Sequence, residues 1–236
     1  MNVKAPAEAH RTAFGKERFE PRMDSANISP PPTSLSEHIY LFLKRKIMKG
    51  DLQPGHRLIV MDIAKTFGVS QAPVREALER LKQEGLIVGK ANKGSVVSEI
   101  THKEIRDIYE LRQLIEGHAL RETMKVLNAD DIARLEWILA DMKRAVDEGD
   151  SYRLVELDMQ FHGHFYARSG NDLFLDIWNS IKTKIMRFIS VTNQDHTGYS
   201  IPDSHAELLD IIKTGNVSLA EKKLVRGLDF YKKYTG

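Results

Sequence analysis

The sequence predicts a mainly α-helical protein, in which an N-terminal winged helix-turn-helix with a small β-hairpin wing precedes an all-α antiparallel helical bundle. Residues 61–83 have the pattern of two short helices joined by a tight turn, and two short apolar or β-branched runs follow around a basic turn. From residue 101 onward, apolar residues recur at helical spacing without a strand pattern. We therefore divide the 236 residues into a flexible tail (1–33), a winged domain (34–99) and a helical domain (100–236).

The tail at residues 1–33 is polar, lacks helical periodicity and ends in the proline-rich stretch 29–33, so we expect a flexible leader. The chain contains no cysteine, which excludes disulfides and thiolate chemistry. It has neither an apolar run of the ~18 residues needed to span a membrane nor the apolar core of a signal peptide. These features predict a cytoplasmic protein that does not bind membranes.

The winged domain is predicted to begin with a helix at about residues 35–48, in which Leu35 faces inward. A second helix follows at residues 61–67, and Gly68 stands where a helix end favours a positive φ. The hydroxyl of Ser70 is expected to cap the third helix. Apolar residues at three- and four-residue spacing predict that the third helix buries Val74, Ala77, Leu78 and Leu81.

Three segments of the winged domain, LQPGHRL, FGVSQAPVREALERLKQEGLIV and NKGSVV, resemble the DNA-binding domain of the GntR family of bacterial transcription regulators. The resemblance covers about residues 36–98. It implies a DNA-binding regulator, more often a repressor, that acts as a homodimer on a palindromic double-stranded operator and controls catabolism of a small organic acid. Residues 34–99 carry 11 Lys and Arg against 7 Asp and Glu, a positive excess that suits contact with phosphates.

The third helix is expected to lie in the major groove of the operator. Gln71 and Arg75 are one turn apart, and these side chain types pair bidentately with adenine and guanine. The alternative for Arg75 is a salt bridge to Glu79 along the helix. Relatives usually have arginine where this chain has Gln71 and often threonine where it has Ala72. The guanine contact that the family resemblance implies is therefore expected to be absent, or to be replaced by adenine and thymine-methyl contacts. The complete predicted DNA-binding set is Ser70, Gln71, Ala72 and Arg75 on the helix, and Lys93 and Gly94 on the wing.

Caps and breaks divide the helical domain into six predicted helices. Thr101 precedes Glu104 by three residues, which is the spacing of a capping box, and Asn128 caps the next helix. The expected helices cover approximately residues 101–126, 128–148, 152–168, 172–191, 202–213 and 217–234. Helical periodicity predicts inward positions for Leu111, Leu114, Trp137 and Leu173, among others.

Four segments of the helical domain, IYELR, DMQFH, SGN and HAELL, resemble the FCD (FadR C-terminal domain) subgroup of the same family. The resemblance covers most of residues 104–230. In that subgroup, an Asp-x-x-x-His pair and two further histidines hold a divalent metal at the floor of a ligand pocket. The resemblance therefore implies both a metal site and an effector site in this domain.

Asp158, His162 and His205 match three of those metal ligands. Asp158 and His162 are four residues apart, which places both on one face of a helix. Gly227 stands where the fourth ligand, a histidine, is expected, so zinc, nickel or manganese would have three protein ligands and a water or effector oxygen. Two alternatives stay open: a site without metal whose polar residues bind the effector directly, and ordinary residues of the bundle. His164 is expected to point away from the set.

Arg112 and Arg187 are the residues expected to pair with the carboxylate of an effector. Arg112 resembles an arginine that recurs in the subgroup, and Arg187 lies on a helix predicted to face the same interior; an exposed ion pair is the alternative for Arg187. Two other functions fit parts of the pattern: a metal-dependent hydrolase that uses the three metal ligands, and a DNA-binding protein with a degenerate effector site. No general base or nucleophile with a recognisable spacing accompanies the ligands, so an enzyme is not expected.

Overall fold

The computed structural model describes residues 34–90, 94–192 and 200–235. The predicted tail and Lys93 of the wing lie outside the described residues. The elements of the winged domain are α1 (Leu35–Met48), β1 (Arg57–Leu58), α2 (Val60–Phe67), α3 (Gln71–Gln83), β2 (Ile87–Lys90) and β3 (Gly94–Val97). Those of the helical domain are α4 (His102–Val126), α5 (Ala129–Asp147), α6 (Ser151–Arg168), α7 (Asp172–Thr192), α8 (Ser200–Lys213), α9 (Val217–Gly227), a 3₁₀ turn (Leu228–Tyr231) and α10 (Lys232–Thr235).

The winged domain contains a three-stranded antiparallel sheet in the order β1-β3-β2. β2 and β3 are the predicted hairpin, with Ile87 opposite Val97. β1 was not predicted, because a strand of two residues is too short to have an alternating pattern. Its extended conformation depends on pairing with β3, in which Arg57 lies opposite Val96.

The helix-turn-helix has the predicted turn and the predicted core. Gly68 ends α2 with a φ of 65°, a left-handed conformation that glycine adopts without steric cost. Ser70 is the N-cap of α3 in position, but its side chain makes no capping hydrogen bond, so that part of the prediction is wrong. The exposed hydroxyl is instead free to meet an external acceptor. The four predicted core residues of α3 are all buried: Val74, Ala77, Leu78 and Leu81.

Several leucines predicted to be inward lie on the surface: Leu114 is 78%, Leu173 64% and Leu35 63% exposed. Leu111 and Trp137 are exposed as well. On α4 the physical reason is a buried ion pair, because Arg112 and Glu116 both face the interior. Burying that pair turns the neighbouring leucines of α4 outward.

The last predicted helix is broken after Gly227 by the 3₁₀ turn, so the prediction of one continuous helix to residue 234 is wrong. Side chains three residues apart eclipse one another in a 3₁₀ helix. This geometry buries Leu228 and Tyr231 together, and the Tyr231 ring stacks on Tyr109 of α4 with centroids 4.9 Å apart.

One hydrophobic core runs from α1 and α3 of the winged domain into α4 and α7 of the helical domain, and so joins the two units. A second core lies within the helical domain, among α5, α6, α8 and α9. Within the described part of the chain, none of the helices is both long and apolar enough to cross a membrane.

Candidate functional site

Two helices bring the three predicted metal ligands together. α6 presents Asp158 and His162 from successive turns, and α8 places His205 opposite them. The Nε2 atom of His205 lies 3.0 Å from Asp158 Oδ1 and 3.1 Å from His162 Nε2, and His162 Nε2 lies 3.7 Å from Asp158 Oδ1. Three donors at these separations can all reach one ion at the ~2.0–2.2 Å typical of imidazole and carboxylate ligands of zinc.

The outward-facing nitrogen of each histidine ring already has a partner. His162 Nδ1 contacts a carboxylate oxygen of Glu116, and His205 Nδ1 lies 2.7 Å from the carbonyl oxygen of Ile201. Carboxylates and backbone carbonyls are the partners that orient metal-binding histidines and leave Nε2 for the ion. The donor set and its supporting hydrogen bonds therefore fit a divalent metal.

Glu116 is the centre of this support, and the sequence analysis missed it. Its side chain is fully buried, accepts hydrogen bonds from Arg112 Nε at 2.8 Å and Tyr166 Oη at 3.0 Å, and contacts His162. The spacing of Arg112 and Glu116, one helical turn, was the available signal for their pairing. Because Arg112 forms a buried ion pair with Glu116, the arginine predicted to bind the effector also neutralises a buried carboxylate within the helical domain.

The charges of the site are strongly coupled. Burial alone would raise the pKa of Asp158, but attraction to His162 and a hydrogen bond from His205 hold that pKa below its ordinary value. Burial alone would lower the pKa of His205, yet the Asp158 carboxylate raises it above the ordinary value. Burial opposes ionisation of Glu116 as well, and Arg112 and His162 outweigh it and lower the Glu116 pKa. The Asp158 and Glu116 carboxylates are therefore held in their ionised form despite their burial.

The ligand cluster borders a cavity of about 360 Å³. Arg112, the three clustered residues and Gly227 all line it. A Cβ atom added at Gly227 would meet no atom within 4 Å, so there is open space where the fourth ligand was expected. The cavity therefore leaves room beside the cluster for a small molecule.

Arg187 does not line this cavity, contrary to the predicted role in effector binding. It is 4% exposed, and its Nη1 donates to Ser98 Oγ at 2.8 Å, at the junction between the two domains. The reason is its position on the face of α7 that packs against the winged domain. His164 also points away from the cluster, as predicted, and its Nε2 lies 3.2 Å from Asp131 Oδ1.

The predicted DNA-reading residues of α3 form one exposed surface. Ser70, Gln71, Ala72 and Arg75 are all exposed, and Arg75 Nη2 donates to Gln71 Oε1 at 3.0 Å. Glu79, the alternative partner of Arg75, lies near Lys82 Nζ at 3.7 Å. On the wing, Gly94 is exposed with a φ of 68°. The structure thus places the two polar side chains of the predicted set, Gln71 and Arg75, side by side on an exposed face of α3.

Comparison with known proteins gives matches along both domains. The model of the gntR family of bacterial regulatory proteins matches residues 35–97, and the FCD domain model matches residues 107–229. The gluconate operon transcriptional repressor of Bacillus subtilis is 28% identical over 218 residues, which are 88% of this chain and 89% of that protein. The Escherichia coli repressor RspR is 30% identical over 157 residues, or 66% of this chain and 69% of the relative. The solved structure of E. coli McbR/YncC has the same fold, with a TM-score of 0.70 and 21% identity over 86% of this chain and 97% of that one.

Proposed function

We propose that this chain, which belongs to the gntR family of bacterial regulatory proteins and carries an FCD domain, represses its target genes and responds to a small carboxylate that binds in the cavity of the helical domain. As a member of that family it is a DNA-binding transcription regulator and not an enzyme. The hydrolase alternative is therefore set aside.

The observation that carries the proposal is the cavity bordered by Asp158, His162, His205 and Arg112. A divalent ion held by the first three residues would supply an open coordination position for a carboxylate oxygen. Arg112 adds a buried cation to the same wall. The Bacillus subtilis relative is named for a gluconate operon, and gluconate is itself a small carboxylate.

Helix α7 offers a physical route from the cavity to the DNA-reading helix. Its residue Ile189 lines the cavity, and two residues earlier Arg187 donates to Ser98. Ser98 Oγ in turn donates to the carbonyl oxygen of Gly85 at 2.6 Å. Gly85 lies just beyond the C-terminal end of α3. A ligand that shifts α7 would therefore act on the end of the recognition helix and bias the placement of the winged domain.

Substitution Ser98→Ala is expected to weaken this coupling. It removes the hydroxyl shared by Arg187 and Gly85, and leaving such buried groups short of a partner costs about 1–3 kcal/mol. We expect effector affinity to stay within about twofold of wild type while the effector-induced change in operator affinity, typically 5–150-fold for such coupling, falls at least fivefold. Fluorescence anisotropy with labelled operator, with and without effector, measures both.

Ser180→Ala is the matched control for that experiment, because Ser180 is an exposed serine of α7 whose hydroxyl donates locally to the carbonyl of Ile177. An unchanged effector response in Ser98→Ala would argue against the α7 route. An equal loss in both variants would point to general destabilisation of the helix.

A second copy of the chain is the partner that we propose for the exposed leucines of α4. A palindromic operator requires two recognition helices related by a two-fold axis. Leu111 and Leu114 are exposed on α4, and contact between His118 and Phe174 places the start of α7, with exposed Leu173, against the same helix. Apolar side chains grouped on a surface are typical of an interface between subunits.

Leu114→Glu is expected to convert the dimer to a monomer, because it places a charge in an apolar interface. Light scattering coupled to size-exclusion chromatography measures the mass, and circular dichroism checks that the fold is retained. Trp137→Glu is the control, since Trp137 is an exposed apolar residue of α5. A Leu114→Glu protein that keeps the dimer mass would show that the interface lies elsewhere.

The function as a whole is tested by selecting genomic fragments with the purified protein and footprinting them at two salt concentrations. Recovery of a few short palindromes, with affinity that falls steeply in salt, is the expected result. A panel of small organic acids is then added to the bound operator. If none of the acids changes operator binding, with or without zinc, nickel or manganese, the proposed effector function is wrong.

A further inference from the structure

The cavity of the helical domain has positive groups at its deep end and at its open end. At the deep end, Arg112 is 1% exposed and lies on the cavity wall together with the histidine cluster. At the open end, the cavity is lined by Lys223 of α9 and Lys233 of α10, of which Lys233 is exposed. A ligand that extends from the cluster to the entrance therefore meets cations at both ends.

The two lysines differ in what already binds them. Lys223 forms an ion pair with Glu207 of α8. Lys232, which precedes Lys233 in the sequence, forms an ion pair with Asp229 at 2.6 Å. Lys233 itself has no ion-pair partner among the residues that the structure describes. Its ammonium group is therefore available to a ligand.

Negative charge in the described lining of the cavity comes from Asp158 alone, and both histidines of the cluster already contact it. The remaining lining charges are Arg112, Lys223 and Lys233. Because Glu116 pairs with Arg112 and Glu207 pairs with Lys223, the exposed Lys233 remains as an excess positive charge among the described lining residues. A second anionic group on the ligand would form an ion pair with this positive charge, whereas a hydrocarbon end would leave the charge without a partner.

We propose that the effector is a small dicarboxylate, whose inner carboxylate is bound at the histidine cluster and Arg112 and whose outer carboxylate pairs with Lys233. This inference rests on the proposed effector function and specifies its chemistry. The volume of about 360 Å³ lies at the small end of ligand cavities, which suits a short-chain diacid. A carboxylate that also bears a phosphate has two anionic groups as well, although its phosphate carries about −1.5 to −2 at pH 7, and the experiment distinguishes the two classes of ligand.

Isothermal titration calorimetry with the full-length protein tests the proposal. It compares the affinity of a monocarboxylate with that of the dicarboxylate that has the same number of carbon atoms. The probes are butyrate against succinate and pentanoate against glutarate, with 3-phosphoglycerate as the phosphate-bearing acid. We expect each dicarboxylate to bind wild-type protein at least tenfold more tightly than its monocarboxylate partner and more tightly than 3-phosphoglycerate. In Lys233→Gln, dicarboxylate affinity is expected to fall about tenfold while monocarboxylate affinity stays within twofold.

Lys232→Gln is the matched control, because Lys232 is the adjacent exposed lysine and does not line the cavity. Equal losses in the two lysine variants would overturn the assignment of Lys233. Equal affinity for monocarboxylates and dicarboxylates, or a preference for 3-phosphoglycerate, would overturn the dicarboxylate proposal and leave the effector function standing. If no acid of any class binds, both the dicarboxylate and the effector function are wrong.

Discussion

Removing one ligand of the histidine-carboxylate cluster is expected to abolish metal binding. In His205→Ala two protein donors remain, and in Asp158→Asn the third donor is only a neutral amide oxygen. We expect metal affinity to fall in both variants by more than the ~10–100-fold that follows loss of a supporting hydrogen bond alone. Asn keeps the shape of Asp158 but not the charge that His205 and His162 contact. Inductively coupled plasma mass spectrometry of dialysed protein measures the metal content of each variant.

We expect the loss of metal binding in the two variants to be measurable as a change in thermal stability as well. An ion present at 100 times its dissociation constant stabilises the folded protein by about 2.7 kcal/mol, which corresponds to a rise in Tm of roughly 5–10 °C for a chain of this size. We expect this rise in wild-type protein with zinc, nickel or manganese, and no rise in the two variants.

His102→Ala is the control for surface histidines, since His102 is exposed at the start of α4. A full metal content in His205→Ala would contradict the cluster as the metal site. Wild-type protein without metal and without a thermal shift would favour the alternative in which the polar residues bind the effector directly.

Arg75→Ala is expected to weaken operator binding about ten- to hundredfold, because a bidentate contact from arginine to a guanine contributes roughly 1–3 kcal/mol of discrimination. Arg75 is exposed on α3 and hydrogen-bonded to Gln71, so both side chains are presented on one surface. Binding to random DNA should change much less, since phosphate contacts account for it. Anisotropy titrations on operator and random duplexes, at several salt concentrations, measure both affinities.

Two further variants separate a base contact from a phosphate contact. Arg75→Lys keeps the charge but loses the bidentate geometry, so we expect it to lose specificity nearly as fully as Arg75→Ala. Lys82→Ala lies on the same helix near its C-terminal end and should leave operator affinity unchanged. If Arg75→Lys binds the operator like wild type and Arg75→Ala lowers the salt dependence by about one ion, Arg75 contacts a phosphate instead.

Local chemistry in the sequence was enough to identify most of the elements. Gly68 at the end of α2 and Asn128 at the start of α5 act on the backbone within four residues, so their effect is readable without a fold. The same holds for Asp158 and His162, whose common face follows from the helical repeat. The match of His205 to the pair came from resemblance to a family, because no local spacing connects residues 43 positions apart.

Tertiary structure decided which way the helices face and which charges are buried. Periodicity on α4 favoured Leu114 as a core residue, but burial of Arg112 with Glu116 rotates that leucine outward, and a buried ion pair depends on partners such as Tyr166 from another helix. Packing against the winged domain likewise draws Arg187 to Ser98 and away from the cavity. The sequence by itself therefore determined the elements and the family, because these depend on local and repeated patterns. Only the folded chain determined the support of the histidine-carboxylate cluster, the shape of the cavity and the contact between domains, because each depends on side chains that are distant in sequence.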